Sequence, residues 1–236
     1  WHTTSIEGTI LYGEDPMTLA QQLSKHVGTM RPLPEWALKG AIIGIVGGQE
    51  FVDEKYALMK SYDLPMAGIW MQDWVGEHTY REGTRLIWNW QLKRDYYYDW
   101  DRMVTDWAMD GVKPFIYINP YIQDTSEVEG IRQDQFKEGC ENGYFIKNQD
   151  DEVYLIHSLS IKFAMVDFTN PDAWTWMKKI IKDNLVIEGR SGGWMHDFGE
   201  YLPFDAKMFD GSDPITYHNI YPEHWAAVVK EALDEL

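Results

Sequence analysis

Apolar and polar residues follow two patterns that alternate along the chain. Short apolar runs predict strands at residues 41–46, 66–71, 113–118, 163–168 and 192–197. Longer segments with helical spacing predict helices at residues 17–27, 51–62, 97–109, 127–139, 171–187 and 223–236. The run 41–46 lacks polar alternation, so we expect a strand that is covered on both faces. Residues 144–146 and 153–156 flank Asp150 and Asp151 and predict a hairpin.

The alternation of strands with helices of about a dozen residues predicts βαβ units and a parallel sheet. About four such units are present, which is half of a closed (β/α)8 TIM barrel. We therefore predict an α/β fold in which residues 33–236 supply roughly the first four β/α units of a TIM barrel, preceded by a helical lead-in at residues 1–32. A half of a larger enzyme is the expectation, and a small open α/β domain is the alternative.

Two carboxylates lie at or just after the end of the predicted strand 192–197. The run Gly-Gly-Trp-Met-His-Asp-Phe-Gly-Glu-Tyr-Leu-Pro at residues 192–203 contains Asp197 and, three residues later, Glu200. Barrel enzymes keep their chemistry at the carboxyl ends of their strands, and two carboxylates among aromatic rings are typical of sites that act on sugars. Asp197 is therefore a candidate nucleophile, or else a strand-end residue that caps a turn. Glu200 is better placed to orient a partner than to donate a proton.

A retaining glycosidase needs a second carboxyl group about 5 to 5.5 Å from the first, and that group usually comes from another strand. Asp73 and Asp167 also lie near the ends of predicted strands. Each could bind a sugar hydroxyl or hold a turn. Asn119 follows the strand 113–118 in the sequence Asn-Pro-Tyr, and we expect it to cap its loop rather than to reach substrate.

Arg85 and Trp88 follow the second predicted strand and suggest an anion-binding pair. The planar guanidinium of Arg85 could hold an anionic group, and the indole N–H of Trp88 could add a donor. The alternative is a cation–π pair in the wall of the barrel, which is a common structural use of arginine beside tryptophan.

Composition and charge narrow the class of partner. The 12 Trp, 14 Tyr and 9 Phe exceed what a core usually needs, and flat rings suit a sugar-binding cleft. A formal net charge of −17 argues against nucleic acid and anionic membranes as partners. It leaves a small anionic substrate open, because charges more than a Debye length of about 8 Å away are screened. We predict a small-molecule substrate, with no nucleic-acid or membrane partner.

The cysteine and histidine residues indicate neither an oxidising compartment nor a metal site. Cys140 is the one cysteine and there is no Asn-X-Ser/Thr sequon, so we expect a cytoplasmic location. The 7 histidines lack the helical spacing of zinc ligands and have no cysteine partners, so no metal site is predicted.

Seven short segments occur in the same order as in a known enzyme family. They are Leu-Pro-Glu-Trp at 33–36, Gly-Ile-Trp-Met-Gln-Asp-Trp at 68–74, Arg-Leu-Ile-Trp-Asn-Trp at 85–90, Tyr-Ile-Asn-Pro-Tyr at 117–121, Val-Asp-Phe-Thr-Asn-Pro at 166–171, the run at 192–203, and His-Asn at 218–219 with Trp225. Together they resemble glycoside hydrolase family 31 in its sulfoquinovosidase branch, and the run at 192–203 resembles the nucleophile segment of that branch.

This resemblance implies a retaining α-glycosidase on an eight-stranded barrel that acts on α-sulfoquinovosides, the head groups of plant and algal sulfolipid. No cofactor is implied. Asp197 matches the nucleophile, Arg85 and Trp88 match residues that bind the sulfonate, and Gln72 matches a residue near the adjacent hydroxyl. The interval of 13 residues from Gln72 to Arg85 agrees with the branch. The predicted substrate-binding set is completed by Asp73, Trp194 and Glu200.

The sequence also departs from the family pattern. The general acid/base Asp and a further sulfonate-side Tyr of the family lie on later strands, beyond Leu236. Val46 stands where the family carries Gln, and His196 replaces a small residue, and both changes are expected to touch the pocket. An α-glucosidase acting on neutral sugars and a non-catalytic sugar-binding half-barrel are the alternatives. An open half-barrel is expected to aggregate, to form a homo-oligomer or to pair with a complementary half.

Overall fold

The computed structural model describes residues 5–236. The strands are β1 (Ala41–Gly44), β2 (Met66–Trp70), β3 (Glu77–Tyr80), β4 (Gly83–Leu86), β5 (Lys113–Ile118), β6 (Tyr121–Gln123), β7 (Ile156–Ser158), β8 (Ile161–Met165) and β9 (Gly193–His196). The helices are α1 (Pro16–Val27), α2 (Gly48–Ser61), α3 (Trp100–Met109), α4 (Gln135–Asn142), α5 (Pro171–Ile180), α6 (Pro214–Tyr217) and α7 (Tyr221–Asp234). A π-helical segment, Ile181–Glu188, continues α5, and 3₁₀ turns occupy Glu35–Leu38 and Gln72–Val75.

The central sheet has four strands in the order β1-β2-β5-β9, and every neighbouring pair is parallel. Between successive strands the chain runs through α2, then α3, then α4 and α5. The predicted α/β fold with four β/α units is thereby confirmed. Parallel strands bring their carboxyl ends to one edge of the sheet, so residues that follow β2, β5 and β9 lie near one another.

The two faces of this sheet are buried to different extents. Ile69, Ile116 and Ile118 belong to the core and have no exposed surface. On the opposite face, Ile42 is 43% exposed and Met195 is 42% exposed. The expectation that the strand at 41–46 is covered on both faces is wrong, because β1 is an edge strand of the described sheet and three of its four residues are exposed.

Residues 121–165 contain a second, antiparallel sheet. Its order is β6-β8-β7, so the predicted strand 163–168 overlaps β8 and does not add to the parallel sheet. The predicted hairpin at 144–156 forms, with Lys147 bridging Val153. The ring of Tyr121 on β6 lies 5.4 Å from the ring of Phe198, just after β9. The small sheet therefore forms a wall beside the carboxyl end of β9.

The helix predicted at 127–139 begins later than expected. Helix α4 spans Gln135–Asn142, and residues 127–134 are not helical. Asp134 sets the start, because its side chain accepts a hydrogen bond from the amide of Lys137 at 2.9 Å. Gly130, with a φ of +72°, breaks any earlier helical turn.

The starts of α1 and α5 agree with their capping signals, whereas the helices predicted from residues 51 and 97 begin at Gly48 and Trp100. Asp15 caps α1 and Asn170 caps α5, with Pro16 and Pro171 as the first helical residues. Helix α1 has no buried residue. The division into a lead-in at 1–32 and a barrel segment at 33–236 stays a prediction, and residues 1–4 lie outside the described part of the chain.

Candidate active site

Asp197 lies directly after β9, at the carboxyl edge of the central sheet. Its amide donates a hydrogen bond to the carbonyl of Ile118 at 3.0 Å, which continues the pairing of β5 with β9 by one residue. Phe198 and Gly199 then adopt positive φ angles of 59° and 118°, so the chain turns away from the sheet at once. The half-buried carboxylate of Asp197 therefore projects from the edge where barrel enzymes bind their substrates.

A tyrosine on the neighbouring strand holds this carboxylate. The Tyr117 hydroxyl donates to Oδ2 of Asp197 at 2.7 Å and accepts from Nδ2 of Asn119 at 3.2 Å. Burial, reinforced by the Asp197 charge, raises the pKa of Tyr117, so the phenol stays protonated and remains a donor. The other carboxylate oxygen of Asp197 has no hydrogen-bond partner within residues 5–236. One oxygen is oriented while the other is available.

The backbone of Asp197 is held from the helix side of the sheet. Nε1 of Trp225, on α7, donates to the carbonyl of Asp197 at 3.1 Å. The ring of His196 stacks on Trp225 with centroids 4.0 Å apart. His196 therefore faces the helix, while Asp197, the next residue, faces the other way. Contrary to expectation, the imidazole does not enter the pocket, and burial lowers the pKa of His196 to about 4, so it is neutral.

Asp73, after β2, has a fully buried carboxylate whose oxygens are both bound by the protein. Oδ2 accepts from the amides of Gly47 at 2.7 Å and Gly48 at 3.2 Å, and Oδ1 accepts from the Tyr97 hydroxyl at 2.6 Å. Gly47 and Gly48 have φ angles of +131° and +79°, a backbone conformation that lets both amides point at one oxygen. This arrangement fixes the loop after β1 to the end of β2.

Asp167 is likewise bound by the protein. Oδ1 accepts from the amide of Thr169 at 3.0 Å and from its hydroxyl at 2.7 Å, and Oδ2 accepts from the amide of Phe209 at 2.7 Å. A cavity of about 670 Å³ adjoins Asp167, and Asp197 is not among the residues that line it. The size of this cavity therefore does not identify the catalytic position.

Arg85 lies on β4, in the hairpin with β3, and is paired with His78. Its guanidinium donates to the carbonyl of Thr84 at 3.3 Å and makes no ion pair within residues 5–236. Cation–π contacts among residues 5–236 involve Lys55 and Lys60 rather than Arg85. The alternative in which Arg85 forms a cation–π pair in the wall of the barrel is therefore not what the structure shows. Arg85 is therefore a cation with no counter-ion in the part of the chain that the structure describes.

Trp88 is part of an aromatic cleft between the hairpin and the antiparallel sheet. Its ring lies 5.0 Å from Phe163, 5.5 Å from Tyr121 and 6.0 Å from Phe198. The cleft has a volume of about 520 Å³. It is lined by Trp88, Tyr121, Tyr154, Leu155, Ile156, His157, Ser158, Phe163, Phe198, Tyr201 and Pro203. Phe198 links this cleft to Asp197, its neighbour in the chain.

The remaining predicted site residues are less closely grouped. Gln72 begins the 3₁₀ turn after β2 and is half-buried. Trp194 pairs with Ile116 and packs against the core, on the face of β9 opposite to Asp197. Glu200 and Val46 are exposed, Val46 by 48%. Oδ1 of Asn119 accepts a hydrogen bond from the amide of Tyr121 at 3.0 Å, so Asn119 caps its loop as predicted.

Sequence reasoning did not single out Tyr117 or Tyr121 as site residues. A weak signal existed for Tyr117, because residues two apart on a strand share a face and Tyr117 lies two residues before Asn119 at the end of β5. No sequence signal distinguishes Tyr121 from an ordinary core tyrosine.

The family to which this chain belongs follows from its match to a protein-family model. The model of the glycosyl hydrolases family 31 TIM-barrel domain matches residues 31–236. The chain belongs to glycoside hydrolase family 31. Among the family's members, the sulfoquinovosidase of Escherichia coli (strain K12) is 35% identical over 93% of this chain, and that of Agrobacterium fabrum is 34% identical over 92%. The chain spans 31% of the length of each of these relatives.

A solved structure of the same family gives a consistent result. A family 31 sulfoquinovosidase from E. rectale, in complex with the aza-sugar inhibitor IFGSQ, superimposes with a TM-score of 0.83 at 35% identity. The match covers 92% of this chain and 32% of that protein. Across residues 5–236, no helix is long and apolar enough to cross a membrane, and no cluster of three or more His, Cys, Asp or Glu side chains is arranged to bind a metal ion.

Proposed function

We propose that this chain forms half of the catalytic barrel of a retaining α-glycosidase that hydrolyses α-sulfoquinovosides, with Asp197 as the nucleophile. The observation that carries the proposal is the arrangement of the Asp197 carboxylate, which has one oxygen held by Tyr117 and one without a hydrogen-bond partner among residues 5–236. The two sulfoquinovosidases at 35% and 34% identity support the substrate class.

In this mechanism the free oxygen of Asp197 attacks the anomeric carbon, and the bond to the aglycone breaks to leave a covalent glycosyl-enzyme. Tyr117 keeps the carboxylate in one orientation through its hydrogen bond to Oδ2, and Asn119 orients the Tyr117 hydroxyl. The bond from Trp225 to the carbonyl of Asp197 fixes the backbone. Such pre-orientation is effective because catalysis depends on the geometry of the reacting atoms.

A second carboxyl group must protonate the departing oxygen. Asp73 and Asp167 are unsuited to that role because both oxygens of each already accept hydrogen bonds from the protein. Asp73 instead positions the loop that precedes α2, near Gln72. Glu200 stays a proposed substrate-binding residue. We place the general acid/base outside the described sheet, on later strands of the barrel.

Arg85, with Trp88 and Gln72, is proposed to read the sulfonated end of the sugar. Arg85 forms no ion pair with residues 5–236, so the charge of its guanidinium is available to an anionic ligand. A sulfonate offers three acceptor oxygens to such a planar donor group. The overall negative charge does not prevent this, because the nearest charges dominate a partly desolvated site.

The test compares hydrolysis of a chromogenic α-sulfoquinovoside with that of the matching α-glucoside by the intact protein. Arg85→Ala is expected to lower kcat/KM for the sulfonated sugar by roughly 10- to 100-fold and to leave that for the glucoside unchanged. Arg81→Ala, at the exposed turn of the same hairpin, is the matched control. Equal losses on both sugars from Arg85→Ala, or preference for the glucoside by the wild type, would establish the α-glucosidase alternative.

A non-catalytic sugar-binding protein is the second candidate. It is favoured if neither sugar is hydrolysed although both bind. Assembly is a separate proposal: because Ile42 and Met195 leave one face of the sheet open, we expect the chain by itself to associate, and a cooperative monomer in ultracentrifugation would contradict this. The cytoplasmic location rests on the single cysteine and stays a prediction.

A further inference from the structure

The hydroxyl group of Tyr121 is buried without a hydrogen-bond partner. Tyr121 is the first residue of β6 and is 2% exposed. Within the described residues nothing accepts from or donates to its hydroxyl. Tyr117, four residues earlier and equally buried, has a hydroxyl with two partners. Folded proteins rarely leave such a group unpaired, because its desolvation is not compensated.

The surroundings of Tyr121 restrict where a partner can come from. Its ring contacts the rings of Phe163 at 4.9 Å, Phe198 at 5.4 Å and Trp88 at 5.5 Å. The two phenylalanines have no hydrogen-bonding group, and an indole N–H cannot accept. Tyr121 also lines the aromatic cleft, so a ligand bound there can supply the acceptor that these three rings lack.

The hydroxyl is suited to donate rather than to accept. Burial, followed by the charge of Glu200, raises the pKa of Tyr121, so the phenol is protonated at neutral pH. In a cleft with apolar walls, a hydrogen bond to a charged acceptor is stronger than in water. The acceptor with the best chemical match is therefore an oxygen-rich group of a bound ligand.

We propose that the Tyr121 hydroxyl binds the glycoside, donating a hydrogen bond to the same polar substituent that Trp88 contacts. The inference rests on the proposed function and adds to it a specificity-determining residue on the antiparallel sheet. Trp88 and Tyr121, whose rings lie 5.5 Å apart, then each donate one hydrogen bond to that group.

Kinetics of Tyr121→Phe in the intact protein test the proposal. We expect kcat/KM for the α-sulfoquinovoside to fall by about 10- to 100-fold, mainly through KM, and that for the α-glucoside to change by less than about 3-fold. The double variant with Trp88→Phe should lose less than the product of the two single losses, because the two donors share an acceptor. An unchanged KM, equal losses on both sugars, or fully multiplicative losses would overturn the proposal.

Thermal unfolding separates ligand binding from a structural role and does not depend on the substrate. Tyr121→Phe removes an unpaired hydroxyl and should leave Tm unchanged or raise it, whereas Tyr117→Phe, the matched control, removes a paired one and should lower Tm. If Tyr121→Phe lowers Tm as much as the control, the hydroxyl has a partner in the protein and the proposal fails. A wild type that hydrolyses neither sugar contradicts the proposed function instead.

Discussion

Asp73 and Asp197 each lie near the carboxyl end of a strand of the same parallel sheet, yet their carboxylates have opposite surroundings. Three protein donors bind Asp73, which has no exposed surface. A single side-chain donor binds Asp197, which is half-buried. The first carboxylate stabilises a loop, and both of its oxygens already accept hydrogen bonds from the protein. The second retains an oxygen without a protein donor among residues 5–236, so the number of donors distinguishes a carboxylate that stabilises a loop from the one that we propose as the nucleophile.

The largest effect that tests this comparison is the loss of activity in Asp197→Asn. An amide cannot form the glycosyl-enzyme, so we expect kcat to fall by on the order of 10⁴-fold or more. The amide can still accept from Tyr117, so the free energy of unfolding should change by less than about 1 kcal/mol. Steady-state kinetics and chemical denaturation measure the two quantities. Retained activity would remove Asp197 from the mechanism.

The next largest effect is the pH dependence of the unfolding free energy that His196 causes. His196 precedes Asp197 and stacks on Trp225, which holds the backbone of Asp197. The folded-state pKa of His196 is about 4, below its unfolded value of about 6.5, so the unfolded state takes up the proton first. The free energy of unfolding is therefore highest above pH 6.5 and decreases by about 3 kcal/mol as the pH falls toward 4.

His196→Leu should reduce this pH dependence of the unfolding free energy, which denaturation at pH 7 and pH 4.5 would show. His157, which is exposed on β7, supplies the control substitution His157→Leu. An identical pH dependence in both variants would be inconsistent with a buried neutral His196.

Asp73→Asn should lower the stability and leave the activity of the folded protein intact, which is the reverse of the result expected for Asp197→Asn. The asparagine keeps one acceptor oxygen and replaces the other with an NH₂ donor, so either the amides of Gly47 and Gly48 or the Tyr97 hydroxyl lose their acceptor. We expect a destabilisation of about 2 kcal/mol, with residual activity in proportion to the folded fraction. Denaturant titration provides the measurement. A stable but inactive variant would show instead that Asp73 acts on the substrate.

The smallest effect is expected for Tyr97→Phe. This change removes one of the three donors to Asp73 and leaves the amides of Gly47 and Gly48 in place. A loss of about 1 kcal/mol of stability is expected, with kcat unchanged. Tyr98→Phe, at an exposed neighbouring position, is the control and should alter neither quantity.

The sequence predicted the parallel sheet and the place of Asp197 because apolar runs and helix caps are local signals. Asp15, Asn170 and the run ending at Asp197 each act within a few residues of themselves. The family was also recognised correctly, because its seven segments keep their order over most of the chain.

The features that the sequence did not predict depend on contacts between distant residues. The exposure of β1 depends on which other elements pack against it, and these lie far away in the sequence. The composition of residues 163–168 does not show whether the strand pairs in a parallel or an antiparallel sheet. Whether Asp73, Asp167 or Asp197 has a free oxygen depends on donors up to 80 residues away. No local pattern records such pairings.

The turn after Asp197 limits how this site can evolve. Phe198 has a φ of 59°, which side chains with a Cβ adopt at a cost and β-branched ones adopt with difficulty. Few amino acids are therefore tolerated beside the proposed nucleophile, although the ring at this position lines the cleft. New specificities in this lineage should arise by mutation of Tyr201 and Tyr154, which line the same cleft and are not among the residues with positive φ.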